Sequence, residues 1–153
     1  MSGDVLCDAQ LLQLPGVLLA TVALVLAQRL RRERQSSSGV IISTGTGATG
    51  WTSSIVRQRG IEDALPSPAD RRLTYMVREP WPSVATGTDI NFGFVNEGEE
   101  IELVSEMEEG GVIFGDGIES DFLEFNEGQT VKVTIARRTL NLVVPAMTVV
   151  AAR

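Results

Sequence analysis

Residues 39–60 read GVIISTGTGATGWTSSIVRQRG, and this stretch decides how the rest of the chain is understood. Gly45-Thr46-Gly47-Ala48-Thr49-Gly50 spells G-x-G-x-x-G. The apolar run Val40-Ile41-Ile42 precedes it, and TSSIVRQRG after it has room for two helical turns ending on Gly60 as a C-cap. A strand, a glycine turn and a helix are the opening of a Rossmann unit, but that fold also needs a second parallel strand ending in an acidic residue about 20 positions on. Glu62 and Asp63 stand near that distance. They follow Gly60 directly and precede prolines, so no second strand ends there, and no βαβ pattern follows. The sequence argues for another kind of glycine loop.

Such a loop can still handle a nucleotide. Gly45, Gly47 and Gly50 allow close backbone approach and φ > 0. Thr44, Thr46 and Thr49 supply hydroxyls that both donate and accept. Trp51 supplies a flat π surface suited to adenine. The plainer alternative is a glycine-rich strand-to-helix turn beside a core tryptophan. Arg57 and Arg59 lie close enough to meet phosphate, or they are solvent-facing residues at a helix end.

Composition narrows the function classes. At 153 residues and 43% hydrophobic content the chain can bury the core of one domain. Its net charge is −7. Residues 1–36 carry Arg29, Arg31, Arg32 and Arg34 against Asp4, Asp8 and Glu33, so residues 37–153 hold −8. That excess repels a phosphate backbone and argues against a nucleic-acid partner. Cys7 is the sole cysteine and there is no histidine, which excludes an internal disulfide and any Ser-His-Asp or Cys-His triad.

The segment LLQLPGVLLATVALVLAQ (11–28) is the most apolar and is closed by RLRRER. It is short for a membrane span and contains Gln13 and Pro15, and its acidic start does not suit a signal peptide. A buried helix or strand, an edge facing sequence beyond this chain, and a membrane anchor with cytoplasmic arginines are the three readings. The expected division is 1–36 as an apolar and basic segment and 37–153 as the β domain. The expected location is the cytoplasm, with anchoring through 11–28 as the alternative.

From Arg72 onward the pattern is strands and turns. LTYMVRE alternates; Ile101, Leu103 and Ser105 share one face of EEIELVSEM, as do Val131, Val133 and Ile135 of QTVKVTIA. Asn96-Glu97-Gly98, Glu109-Gly110-Gly111, Gly115-Asp116-Gly117 and Asn126-Glu127-Gly128 supply turns. The fold class expected is mainly β: an antiparallel, sandwich-like domain with a glycine-rich strand-to-helix loop and one or two short helices. The carboxylates Glu97, Glu99, Glu100, Glu102, Glu106, Glu108, Glu109, Asp116, Glu119, Asp121 and Glu124 do not follow Ca²⁺-loop spacing and read as a solvated sheet face and hairpin tips, with no metal site.

SSGVIISTGTGATGWTSS resembles the S-T-P-T-G-S-T-A-Y motif of the NAD kinase family. Ser43-Thr44 stand at its S-T, Thr46-Gly47 at its T-G, Thr49 at the next threonine, Gly50 at the alanine and Trp51 at the tyrosine, with Ser54 three positions beyond. GGVIFGDGIESDFLEFNEGQTVKVTIARRTLNLV resembles the late hairpins of the same family, so the likeness runs over about residues 36–145. It implies NAD as substrate, ATP and Mg²⁺ for phosphoryl transfer, an N-terminal α/β domain as partner, and homo-oligomers. It implies NAD or nucleotide contacts for Thr46, Gly47, Thr49, Gly50, Trp51 and Ser54. Gly45 replaces the motif's proline, and Ser38 stands where the family has the aspartate of G-D-G. The G-G-D-G-T loop that carries the family's catalytic aspartate does not occur in these 153 residues, and SGDVLCDAQ does not show the N-E dyad expected just upstream of the apolar segment. The chain therefore resembles the C-terminal, dinucleotide-binding β domain, with no catalytic residue of its own and no expected activity alone. The rival expectation is a non-catalytic β-sandwich that mediates assembly, or a membrane-anchored small β domain.

Overall fold

The computed structural model describes residues 10–12, 22–28, 31–61, 65–115 and 120–138. Among the described residues ten strands form two sheets, and every pairing is antiparallel. The strands are β1 (Gln10–Leu12), β2 (Val22–Gln28), β3 (Arg31–Ser37), β4 (Gly39–Ser43), β5 (Arg72–Arg78), β6 (Phe92–Asn96), β7 (Glu100–Ser105), β8 (Val112–Gly115), β9 (Phe122–Glu124) and β10 (Thr130–Thr134). The six-stranded sheet runs β6-β5-β4-β1-β8-β9 and the four-stranded sheet runs β10-β7-β2-β3. The expected fold class is the one observed.

Alternation makes the sandwich. Val40 and Ile42 on β4, Leu73, Tyr75 and Val77 on β5, and Val95 on β6 are buried against Ile101 and Leu103 of β7 and Val133 of β10. Val131 and Ile135 pack on the same cluster, as the period-2 pattern requires. The chain passes between sheets at Ser38–Gly39, where Gly39 takes φ 135°, a value that disfavours any side chain.

Two turns are built alike. In Asn96–Glu99 the Glu99 carboxylate accepts from the Asn96 N–H and Nδ2 at 3.0 and 2.9 Å, and the Glu99 N–H donates to the Asn96 carbonyl. In Asn126–Gln129 the Gln129 Oε1 accepts from the Asn126 N–H at 2.5 Å, with the matching bond from the Gln129 N–H. Gly98 and Gly128 hold φ of 82° and 78°, so the glycine of each Asn-Glu-Gly signal is required by backbone conformation. Asp116, Gly117 and Glu119, and with them the turn expected after Gly115, lie outside the described residues, as do Glu62 and Asp63.

Within the apolar 11–28 segment, β2 pairs with β3 and β7, and β1 with β4 and β8. Among the described residues no helix is long and apolar enough to cross a membrane, which says nothing about strands.

Among the described residues one α-helix, α1 (Trp51–Arg59), lies on the outer face of the six-stranded sheet. Ile55 packs on Ile41 and Phe114, and Thr52 and Val56 are buried. The helix ends at Gly60, in the left-handed conformation, with Gly60 N–H donating to Arg57 and Ile61 N–H to Val56. That is the paired bonding of a Schellman end, and it sits where the sequence places it.

Candidate nucleotide-binding loop

The loop between β4 and α1 is short and ordered by its own side chains. The Gly47 N–H donates to Thr44 Oγ1 at 3.0 Å, which turns the chain into a single 3₁₀ turn, Gly47–Thr49. Ala48 is buried beneath it. Gly50 links that turn to α1 with φ −92° and ψ −123°, and an added Cβ there would meet nothing within 4 Å. The Ser54 N–H donates to the Gly50 carbonyl at 3.4 Å, closing the first turn of the helix.

The six residues singled out from the sequence all lie on this loop or the first turn of α1. Thr46, Gly50, Trp51 and Ser54 are exposed and Gly47 is half-buried. Thr49 lies in the 3₁₀ turn; its side chain is outside the described set. The neighbouring Thr52 faces inward at 2% exposure, so the hydroxyls of this segment divide between solvent and core.

Two expectations need correcting. None of Gly45, Gly47 and Gly50 takes positive φ. Gly45 is needed for close approach, but to this chain's own backbone: a Cβ there would lie 2.1 Å from the Ser67 carbonyl oxygen and 2.6 Å from that of Pro66. The loop 65–70 is itself held by Asp70, whose carboxylate accepts from the Ser67 N–H at 2.8 Å, an interaction that holds the Asp70 carboxyl below its ordinary range. The plainer alternative of a core tryptophan, secondly, does not hold for Trp51. Its side chain is 50% exposed.

Alternation along β5 puts Arg78 on the α1 side of the sheet, the face shared with Thr74 and Met76. Its guanidinium carbon lies 5.1 Å from the centre of the Trp51 ring, within cation–π range. Sequence reading missed this residue; the alternation of LTYMVRE gave its face but not its neighbour. Arg59, which the sequence offered as a phosphate ligand, donates from Nη2 to the Val77 carbonyl at 2.7 Å and from Nη1 to the Asn91 carbonyl at 3.5 Å. Its donors satisfy β5 and the approach to β6. Arg57 is exposed.

Another polar centre stands on β3. Glu33 accepts from the Asp89 and Ile90 N–H groups at 2.9 and 3.0 Å and from Gln35 Nε2 at 2.5 Å, while Gln35, fully buried, also donates to the Ile90 carbonyl at 2.8 Å. Burial raises the Glu33 carboxyl pKa, but the Gln35, Ile90 and Asp89 hydrogen bonds, with the Arg31 charge, hold it below its ordinary range overall. The Gly87 and Trp81 N–H groups donate to the Arg34 and Ser36 carbonyls, so loop 80–91 covers the free edge of the four-stranded sheet. This centre holds the fold. Among the described residues no three Asp, Glu or Cys side chains converge as metal ligands.

No known family profile matches the chain, and no curated protein does. Among solved structures the chain is similar to an NAD kinase from Archaeoglobus fulgidus in complex with ATP, at TM-score 0.60 and 14% identity, over 86% of this chain and 46% of that one. The chain thus spans under half the length of that kinase. At this identity the likeness establishes an NAD kinase-like fold.

Proposed function

We propose that this chain acts as the dinucleotide-binding β domain of an NAD kinase-like protein, in which NAD lies on the loop formed by Thr46, Gly47, Thr49, Gly50, Trp51 and Ser54. The observation that carries this reading is the placement of Trp51. A half-exposed tryptophan at the head of α1, directly after the S-T-x-T-G-x-T sequence, costs hydration of apolar surface and contributes little to the core. Its position is suited to stacking on adenine, with the Thr46 hydroxyl and the Gly50 backbone exposed beside it. The shared fold supports the choice of ligand, since its solved counterpart is an NAD kinase holding ATP.

In this reading the chain binds and orients; it does not activate the ribose hydroxyl. Phosphoryl transfer needs a carboxylate to position or deprotonate the acceptor. That carboxylate, and the ligands for Mg²⁺, would come from an N-terminal α/β domain. The described residues offer Mg²⁺ no cluster of three or more carboxylates. The location proposed is the cytoplasm.

The test is calorimetric titration of the 153-residue chain with NAD, beside Trp51→Ala and Thr49→Val. Stacking of a base on an aromatic ring contributes about 1–3 kcal/mol, so Trp51→Ala should weaken NAD about ten- to hundredfold. Thr49→Val keeps the shape and removes a hydroxyl, for about 1 kcal/mol. Unchanged affinity in both, with folding intact, would remove the assignment.

One observation favours a second reading, assembly. Among the described residues β9 is the last strand of the six-stranded sheet, with Phe122 and Leu123 50% and 58% exposed. An edge strand bearing exposed apolar residues is a template for pairing with another copy. Sedimentation of the chain beside Phe122→Lys tests it: a concentration-dependent dimer lost in the variant supports assembly, and a monomer throughout removes it.

A further inference from the structure

Resting on the nucleotide reading above, we propose that Arg78 is the residue by which this site distinguishes phosphorylated adenine ligands from the bare nucleoside. The reasoning begins with charge. A chain of net charge −7 repels anions at a distance, so an anionic ligand needs a local cation with donors to spare. Arg57 and Arg59 lie in the last turn of the helix that follows the loop, and Arg78 meets the head of that helix. Arg59 is committed to the carbonyls of Val77 and Asn91. Arg57 is six residues along α1 from Trp51, about 9 Å at 1.5 Å per residue. Arg78 remains, and it is against the Trp51 ring itself. Among the described residues Arg78 makes no ion pair, whereas Arg34 and Arg71 are each paired with a glutamate, Glu106 and Glu97.

The distance fixes the geometry of use. With 5.1 Å between guanidinium carbon and ring centre, a base cannot slide between them, since two stacking contacts need about 7–8 Å. Adenine must take the opposite face of the indole. Arg78 then backs the stack from the covered side and has N–H donors available for a phosphate at the ring's edge. Its backbone is fixed: Arg78 pairs with Gly39 in the β4–β5 ladder, and its carbonyl accepts from the Ser38 N–H at 3.0 Å. The charge is therefore mounted on the sheet, and only the side chain adjusts. Arginine suits this place better than lysine because its planar group stacks on the indole and still offers a fork to phosphate.

The experiment titrates adenosine, AMP and NAD into the 153-residue chain and into Arg78→Gln, Arg78→Lys, Arg57→Gln and Trp51→Ala, each checked by thermal melt. Arg78→Gln should weaken AMP and NAD about tenfold or more and leave adenosine unchanged. Arg78→Lys should keep part of the preference for AMP over adenosine, and Arg57→Gln should match the parent. The AMP affinity of the parent should fall with salt more steeply than that of Arg78→Gln. Equal losses for adenosine and AMP in Arg78→Gln, or no loss for either, would overturn the role of Arg78 while Trp51→Ala still weakens all three ligands. If Trp51→Ala changes none of them, or the parent binds none, the loop reading fails and Arg78 fails with it.

Discussion

The Glu33 carboxylate on β3 accepts the main-chain N–H of Ile90, 57 residues away, at 3.0 Å, and through its other oxygen that of Asp89 at 2.9 Å. One side chain thereby ties loop 80–91 to the edge of the four-stranded sheet. Gly87 comes so near that an added Cβ would lie 2.6 Å from Glu33 Oε2. The contact predicts a pH dependence. The folded chain holds the Glu33 carboxyl below its ordinary 4.5, so the unfolded chain binds this proton more readily. The contribution of Glu33 is present in full above about pH 4.5 and is lost as pH falls through the folded value. Glu33→Gln places an amide NH₂ against N–H donors and should cost about 1.5–3 kcal/mol at pH 7. Urea unfolding from pH 3 to pH 7 should show that cost shrinking toward the acid end. A cost that stays constant across the range would refute the contact.

Gly45 predicts a packing defect. Its Cβ position is filled by the Ser67 and Pro66 carbonyl groups, which are backbone and cannot swing aside. Gly45→Ala should destabilise the chain by about 1–3 kcal/mol. Gly45→Pro, which restores the proline of the NAD kinase motif, should do no better, because its ring occupies the same space. A proline variant melting at or above the parent temperature would mean that loop 65–70 yields easily.

How much of this was legible follows from the range of each interaction. Gly60 as helix stop, the inward faces of β7 and β10, and the Asn-Glu-Gly turns are local, governed by period and φ within a few residues, and sequence placed them correctly. The run 11–28 is apolar without alternation, and such a run does not separate strand from helix; Val22–Gln28 as a strand in the middle of a sheet became visible only through its partners. The loop residues were found through motif likeness. The reason for Gly45 lies at Ser67, and Arg78 meets Trp51 across the gap between a strand and a helix, so neither could be read from spacing.

The absent G-G-D-G-T aspartate predicts that this chain, incubated with ATP, Mg²⁺ and NAD, forms no NADP at an ordinary rate. Loss of a general base or its positioning group costs about 10²–10⁴ in rate. Coupled enzymatic detection of NADP is the measurement. Turnover would show that a carboxylate among the 20 present takes the missing role.

Trp51 and Phe114 face the same side of the six-stranded sheet region but differ in what they bury, and their substitution should separate binding from stability. Phe114 is 4% exposed, on β8, packed with Ile41 beneath Ile55. Phe114→Ala opens a cavity under α1, and a buried phenylalanine lost to alanine costs about 3–5 kcal/mol. Trp51 is half in solvent, with one face against Arg78. Its removal forfeits a cation–π contact of about 0.5–1 kcal/mol and partial apolar burial, so Trp51→Ala should unfold much nearer to the parent in denaturant than Phe114→Ala does. Slopes should match among the three, since none changes the surface exposed on unfolding by much. Should Trp51→Ala cost as much as Phe114→Ala, the indole supports the core in solution. Any loss of NAD affinity in that variant would then report a misfolded loop instead of a missing stacking surface.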